Sequence, residues 1–343
     1  MKPLLDDDDI DDIFDDSNRH VVEQLEDLDS WHADCLKEKQ RYLDFGSDGF
    51  NKALLGTAPG TSIYIAGAPN MGKSQVQTSL VLKLLENNPD VVICDCTLDD
   101  NKNKRLQHYA ANLAHLPMNQ IAYANKITEE KDLVTFTKAV NTLKNYIKDE
   151  KLFVYEASRN LQEGGAIAQD SVRFIKAEML RLRERFPNKK LVLIIDSLND
   201  VVVSKTETDD FKLSKLIVNA LDAVLMESKS ILIATTHLRK VNGRRPTTDD
   251  LKGNSCLAYE AKVIVGIYND VSMRSQSADI YWATDSDPNR KLPVVEACFV
   301  KNKVSDFKGI IPCQQWPAQA RVCEAPLEIQ QTLLARIYGG ESK

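Results

Sequence analysis

No apolar run in the 343-residue sequence approaches ~18 residues, which excludes a membrane-spanning helix of the ordinary kind. No secretory leader is expected either, since the chain begins MKPLLDDDDI, acidic where a signal peptide is basic and then apolar. Cysteine is sparse and scattered, seven residues with no C-x-x-C pair and no metal-ligand spacing. Reduced thiols in a cytoplasmic protein, most of them in the core, are therefore expected. No internal repeat is visible along the chain.

What remains is ordinary for a globular protein, with 43% apolar and 27% charged residues and length enough for a sizeable core. The net charge of −6 is concentrated at one end. Residues 1–16 carry eight Asp and one Lys, leaving the rest of the chain close to neutral. Eight aspartates repel one another and offer little apolar surface, so 1–16 is expected to be a disordered acidic tail. It serves either as a solubilising segment or, punctuated by Ile10, Ile13 and Phe14, as a docking peptide or nucleic-acid mimic. Val21, Leu25, Leu28, Trp31 and Cys35 then recur at helical spacing, predicting an amphipathic helix over roughly 18–42. Residues 17–45 form its segment and 46–343 the main domain. The apolar face of this helix must dock on its own domain or on a neighbouring subunit.

Within 46–343, the runs SIYIAG, DVVICDC, KLFVYEA, KLVLIID and SILIATT read as buried strands. Helical patterns near 73–87, 101–114, 129–148, 166–186 and 208–228 separate them. Val172, Ile175, Met179, Leu182 and Phe186 make the clearest core-facing stripe. Continuous apolar strands alternating with helices predict an α/β fold with a mainly parallel sheet covered on both faces. KVIVGIY, DIYWAT, PVVEACFVK and GIIPCQQ are joined by short turns instead, which predicts antiparallel strands at the C-terminal end.

The loop after the first strand runs Gly67, Ala68, Pro69, Asn70, Met71, Gly72, Lys73, Ser74, matching G-x-x-x-x-G-K-[ST] between a strand and a helix. In such a loop, backbone N–H groups and the positive end of the following helix ring a β-phosphate. Lys73 neutralises the β- and γ-phosphates, and Ser74 is a ligand for Mg²⁺. The strand KLVLIID ends in Asp196, the carboxylate expected to complete the Mg²⁺ site. This predicts a nucleoside triphosphate site.

Several P-loop classes are excluded. DSLN after the Walker B strand lacks the glycine of a GTPase, and NKVSD places its Asp one residue late for a guanine motif. LQEGG is a poor match to an ABC signature, and Ser197 follows Asp196 where an AAA+ protein has Glu. The base that orients water must come from elsewhere, and CTLDD supplies Asp99 and Asp100 at the end of the strand after the P-loop helix.

The joint order of CTLDD, KRLQHYAANLAHLPMNQIAYANKITEEKDL, the Walker B strand, ATTHLRK, RRPTTDDLKGNSCLAYEAKVIVGIYND and FVKNKVSDFKG resembles the ATPase domain of DnaB-type hexameric replicative helicases, a RecA-like family, over about residues 41–325. The resemblance implies a RecA-like P-loop ATPase using ATP and Mg²⁺, and a homo-oligomer, a hexamer, translocating on single-stranded DNA. It puts Asp99 in the place of a catalytic glutamate and His237 in that of a γ-phosphate sensor. Lys301 and Lys303 stand where a Lys and an Arg reach into the next subunit's site. Lys252, Gly253 and Ser255 fall on the DNA-tracking pore loop, with Arg239, Lys240, Arg244 and Arg245 as a basic cluster facing the channel. Replication proteins become candidate partners of the acidic tail.

Three departures from the family pattern bear on activity. Asp for Glu withdraws the base by roughly 1.5 Å, and ~1 Å of misplacement can cost ~10²-fold in rate. Lys303 for Arg keeps the charge but loses the planar fork, with Arg274 or Arg290 as alternative sources of charge. In place of the family's helical N-terminal domain, the acidic tail is the expected leading segment.

Overall fold

The computed structural model describes residues 24–30, 32–33, 42–156, 170–203, 210–238, 243–247, 249–250, 255–284 and 287–339. Met1–Arg41 and Tyr42–Lys343 are separate units. In the first, 24–30 and 32–33 are helical with Leu25 and Leu28 exposed. The rest of the expected amphipathic helix up to residue 41, and the acidic tail, lie outside the described residues. One correction applies at the end of that helix: residues 42–45 are not helical. Leu43 and Phe45 are buried there, and side chains hold the backbone in place of helical bonds. Asp44 N donates to Asn88 Oδ1 at 3.0 Å and Phe45 N to Asn51 Oδ1 at 2.8 Å.

Ten strands form the sheet among the described residues: β1 (Ser62–Gly67), β2 (Val91–Thr97), β3 (Leu152–Glu156), β4 (Lys190–Asp196), β5 (Ser230–His237), β6 (Val263–Tyr268), β7 (Tyr281–Thr284), β8 (Asp287–Asn302), β9 (Ile310–Trp316) and β10 (Arg321–Glu324). Their order is β10-β9-β8-β6-β1-β5-β4-β2-β3, with β7 paired to β8. The pairs among β1 to β6 are parallel, whereas β6–β8, β7–β8, β8–β9 and β9–β10 are antiparallel. The mainly parallel α/β sheet with antiparallel C-terminal strands is thus the observed fold. One strand is corrected. KVIVGIY, expected in the antiparallel extension, forms β6 and pairs in parallel with β1. The long connection from β5, which includes the helix Ser255–Glu260, lets the chain cross back before β6 begins. Sequence periodicity did not reveal β10 or the helix Leu327–Gly339, which packs Leu333 and Ile337 against Val294 and Ile280.

Alternation along each central strand explains why the apolar runs are continuous. Val192 and Ile194 of β4 face a core that includes Val76 and Leu84 of helix Lys73–Asn87 and Tyr109 of helix Lys102–Ala114. Leu191, Leu193 and Ile195 face the opposite core, built with Ile175, Met179 and Leu182 of helix Ser171–Arg185 and Leu221 of helix Asp210–Ser228. A strand buried on both faces reads as a near-continuous apolar run, as β4 does from Leu191 to Ile195. No helix among the described residues is long and apolar enough to cross a membrane.

Ile194 is fully buried at the centre of this sheet. Ile194→Ala is expected to lower unfolding free energy by about 2–5 kcal/mol through lost burial and an unfilled cavity. Val134→Ala, on the exposed side of helix Glu130–Lys148, should change it by no more than about 0.5 kcal/mol. Urea denaturation of the two variants checks the contrast.

Candidate functional site

Parallel strands deliver their C-terminal ends to one edge of the sheet, and that edge collects the polar residues. β1 ends at Gly67 and runs into the loop preceding helix Lys73–Asn87. Asn70 and Gly72 adopt positive φ, 65° and 98°, while Met71 is buried and anchors the loop to the core. A β-carbon on Gly72 would lie 2.6 Å from Gln315 Nε2. Gln315 of β9 is held there by Asn269 Nδ2, which donates to its Oε1 at 2.7 Å, while its own Nε2 donates to Gln75 Oε1 at 2.7 Å. The antiparallel strand thus braces the loop from outside the parallel sheet.

Lys73 is buried, with Nζ donating to Ala68 O at 3.1 Å and lying 3.4 Å from His237 Nδ1. Burial lowers its pKa, opposed by the carboxylates of Asp196 and Asp99. Ser74 Oγ donates to Asp196 Oδ1 at 3.3 Å, and Thr235 Oγ1 donates to the same oxygen at 2.5 Å. Asp196 O accepts from Leu98 N at 2.7 Å and Asp99 N at 3.1 Å, tying the turn after β2 to the end of β4. Asp99 is exposed on the rim. Partial desolvation and the carboxylates of Asp200, Asp100 and Asp196 raise its pKa. His237 closes β5 beside Gly67, and its backbone N–H donates to Asn199 Oδ1 at 2.9 Å. Burial, then the Lys73 charge, lower the imidazole pKa.

Ser74 and Asp196 present a hydroxyl and a carboxylate at one point, the hard oxygen donors that Mg²⁺ takes. Among the described residues no cluster of three or more His, Cys, Asp or Glu forms a self-sufficient metal site. Mg²⁺ at a triphosphate requires no such cluster, because phosphate oxygens and water complete its shell. The residues present therefore fit the ion.

Other expected site residues lie elsewhere. β8 is antiparallel, and Ile264 and Val263 at the start of β6 pair with Lys301 and Asn302. Lys301 and Lys303 therefore lie at the edge opposite the P-loop. Lys301 Nζ donates to Ala258 O at 2.8 Å and Tyr259 O at 2.9 Å, and Lys303 Nζ to Tyr259 O at 3.5 Å. Desolvation and the Lys303 charge push the Lys301 pKa down to about 8. Arg274 is paired with buried Asp270 at 2.6 Å, and Arg290 is exposed on β8.

The basic cluster divides. Arg239, Lys240, Lys252 and Gly253 lie outside the described residues, and Ser255 opens helix Ser255–Glu260. Arg244 pairs with Asp250 at 2.5 Å and Arg245 with fully buried Glu296 at 2.6 Å. Each of these two is thus compensated by a carboxylate, and the Arg244 side chain stays half exposed. Arg244 lines a crevice with Ala68, Met71 and Tyr268 beside the P-loop, and Arg245 lies over the Tyr268 ring.

Sequence reasoning missed Thr235, Asn199 and Gln315. A threonine within a strand reads as β-branched filler, and the other two carry no motif of their own. The only signal was polarity where a buried strand ends.

The family model of the DnaB-like helicase C terminal domain matches residues 43–303. The chain belongs to that family. Two solved structures share the fold of this DnaB-like chain. One, described as an ATPase domain, aligns with a TM-score of 0.70 at 16% identity, covering 90% of this chain and 98% of that one. A DnaB-like replicative helicase, described together with its interactions with primase, aligns at 0.69 and 17% identity, covering 90% of this chain and 67% of that one. No curated protein sequence matches the chain. Family and fold give this DnaB-like chain a RecA-like architecture and a helicase role.

Gly72→Ala forces a β-carbon onto a left-handed backbone and against Gln315. Nucleotide affinity is expected to fall about fivefold or more, from ~1–3 kcal/mol of strain. Equilibrium binding of a fluorescent ATP analogue measures it.

Proposed function

We propose that the chain is an ATP-dependent DNA helicase, a ring-forming hexameric motor that hydrolyses ATP with Mg²⁺ and translocates on single-stranded DNA during replication. The observation that carries this reading is the gathering of Lys73, Ser74, Asp196, His237 and Asp99 at one edge of the sheet in a DnaB-like chain.

The loop amides of Gly67 to Ser74 hold the β-phosphate, and Lys73 neutralises the β- and γ-phosphates. Ser74 and Asp196 would hold Mg²⁺, which when bound offsets charge on the β- and γ-oxygens. Asp99 orients the attacking water and accepts its proton. His237, kept neutral by burial and by the Lys73 charge, reads the γ-phosphate from the end of β5. A heterologous contact can close a ring and set one subunit's Lys301 and Lys303 against its neighbour's nucleotide. In their own subunit these lysines hold the carbonyls of Ala258 and Tyr259, on the helix after the candidate pore loop. Moving them to a neighbour's phosphate would release that helix. Around the ring, Arg239, Lys240, Lys252, Gly253 and Ser255 would then contact DNA phosphates without reading bases. The free thiols of Cys94, Cys96, Cys298 and Cys313 suit a cytoplasmic setting. Replication proteins would dock on the acidic tail.

A second reading is a nucleotide-binding assembly protein without turnover, favoured by the short Asp99 side chain and by the attachment of Lys301 to carbonyls of its own subunit. Steady-state ATP hydrolysis with and without single-stranded DNA separates the two. A motor should show turnover that rises with DNA and disappears in Lys73→Ala. Equal rates for wild type and Lys73→Ala in both conditions would leave the assembly protein. Strand displacement on a forked substrate then distinguishes a helicase from a loader or recombination ATPase.

A general base works only when ionised, so a raised pKa moves the acid limb of the rate profile to higher pH. The limb of kcat/KM should lie above the ordinary aspartate value near ~4. Asp200→Asn removes a neighbouring negative charge and should shift the limb back to lower pH. A pH–rate profile of the two proteins tests this.

A further inference from the structure

Arg105 lies in the first turn of helix Lys102–Ala114, five residues after Asp100, and is only 1% exposed. Its guanidinium is enclosed by polar atoms from three elements. Nε donates to Asp95 Oδ2 of β2 at 2.8 Å. Nη2 donates to Gln77 Oε1 at 2.9 Å and Nη1 to Thr78 Oγ1 at 3.4 Å, both on the helix that follows the P-loop. Nη1 also lies 3.5 Å from Asp196 Oδ2. Tyr109, one turn further along, donates to the same Asp95 oxygen. Gln77 passes the connection on, since its Nε2 donates to Ile195 O at 3.0 Å and Ile233 O at 3.1 Å.

The two oxygens of Asp196 are thereby divided. Oδ1 takes the hydroxyls of Thr235 and Ser74, and Oδ2 faces the Arg105 guanidinium. A carboxylate gripped on both oxygens cannot rotate about its last bond without breaking one set of contacts. A buried ion pair such as Arg105–Asp95 is a poor source of stability compared with apolar packing, so its place behind Asp196 needs another account.

We propose that Arg105 is a positioning residue for Asp196: it fixes the carboxylate plane so that Oδ1 faces Ser74, and thereby sets the affinity of the nucleotide site for Mg²⁺. The proposal rests on Asp196 and Ser74 being the metal ligands. Groups that orient a ligand in this way typically contribute 10–100-fold in metal affinity. Because helix Lys102–Ala114 begins just after Asp99, the same residue links the candidate base to the candidate metal ligand.

The test measures binding of a fluorescent, non-hydrolysable ATP analogue to the full chain, titrated with MgCl₂. Arg105→Gln alone would strand the Asp95 charge in the core, so it is combined with Asp95→Asn. Arg105→Lys is the second variant, keeping a charge for Asp95 while losing the fork that reaches Asp196. The expected result is wild-type affinity without Mg²⁺ and a Mg²⁺ midpoint raised about 10–100-fold in folded Arg105→Lys and in the folded double variant. Asp95→Asn with Arg105 intact should keep a midpoint near wild type. A folded Arg105→Lys or double variant with the wild-type midpoint, or one that loses Mg²⁺-free affinity in equal measure, overturns the proposal. Asp196→Asn keeps the two readings apart. If it leaves the midpoint unmoved, the metal-site reading fails; if it moves the midpoint and the Arg105 variants do not, only the role of Arg105 fails.

Discussion

The carboxylate of Asp196 is the point on which the described site depends. A charged group at the end of a fully apolar strand is costly to bury unless polar partners surround it. Here the carboxylate's partners come from three elements, Thr235 from β5, Ser74 from the P-loop helix and Arg105 from the following helix, while the turn after β2 bonds the Asp196 backbone carbonyl. β4 lies between β2 and β5, so its end is the one place where all of these can meet. The same arrangement brings Asp99 and His237 to the edge that holds Lys73.

Strand direction explains both what the site gathers and what it lacks. Parallel strands send their carboxyl ends to a single edge, where ligands of open α/β sheets bind. An antiparallel strand delivers its end to the other edge, and Lys301 and Lys303 follow β8 there. In a single subunit these lysines and the P-loop belong to opposite rims. A ring of subunits is the arrangement under which both rims could serve one nucleotide, and that is why the proposed function needs a neighbour.

The charged residues show how far local reading extends. Arg244 and Arg245 look like a free basic cluster within HLRKVNGRRP, yet Asp250 and Glu296 compensate them. Glu296 lies 51 residues away along the chain, in a strand whose apolar neighbours gave no hint of a buried carboxylate. Arg105 resembles any helix-surface arginine until β2 supplies Asp95. Pairings of this kind depend on which strands become neighbours, and hydrophobic periodicity says nothing about that.

By itself the sequence determined the order of the principal strands and helices, the parallel character of the first five strands, the P-loop and the family. Each rests on local signals: apolar runs too continuous for one-sided burial, a glycine loop between strand and helix, and an ordered set of motifs. Tertiary structure decided the rest. It set β6 parallel beside β1, placed Gln315 over Gly72, divided the oxygens of Asp196 between hydroxyls and a guanidinium, and paired Arg244 and Arg245 with carboxylates. Most of these are contacts between residues far apart in the chain. Strand order and direction, rather than the composition of any segment, bring them within hydrogen-bonding distance.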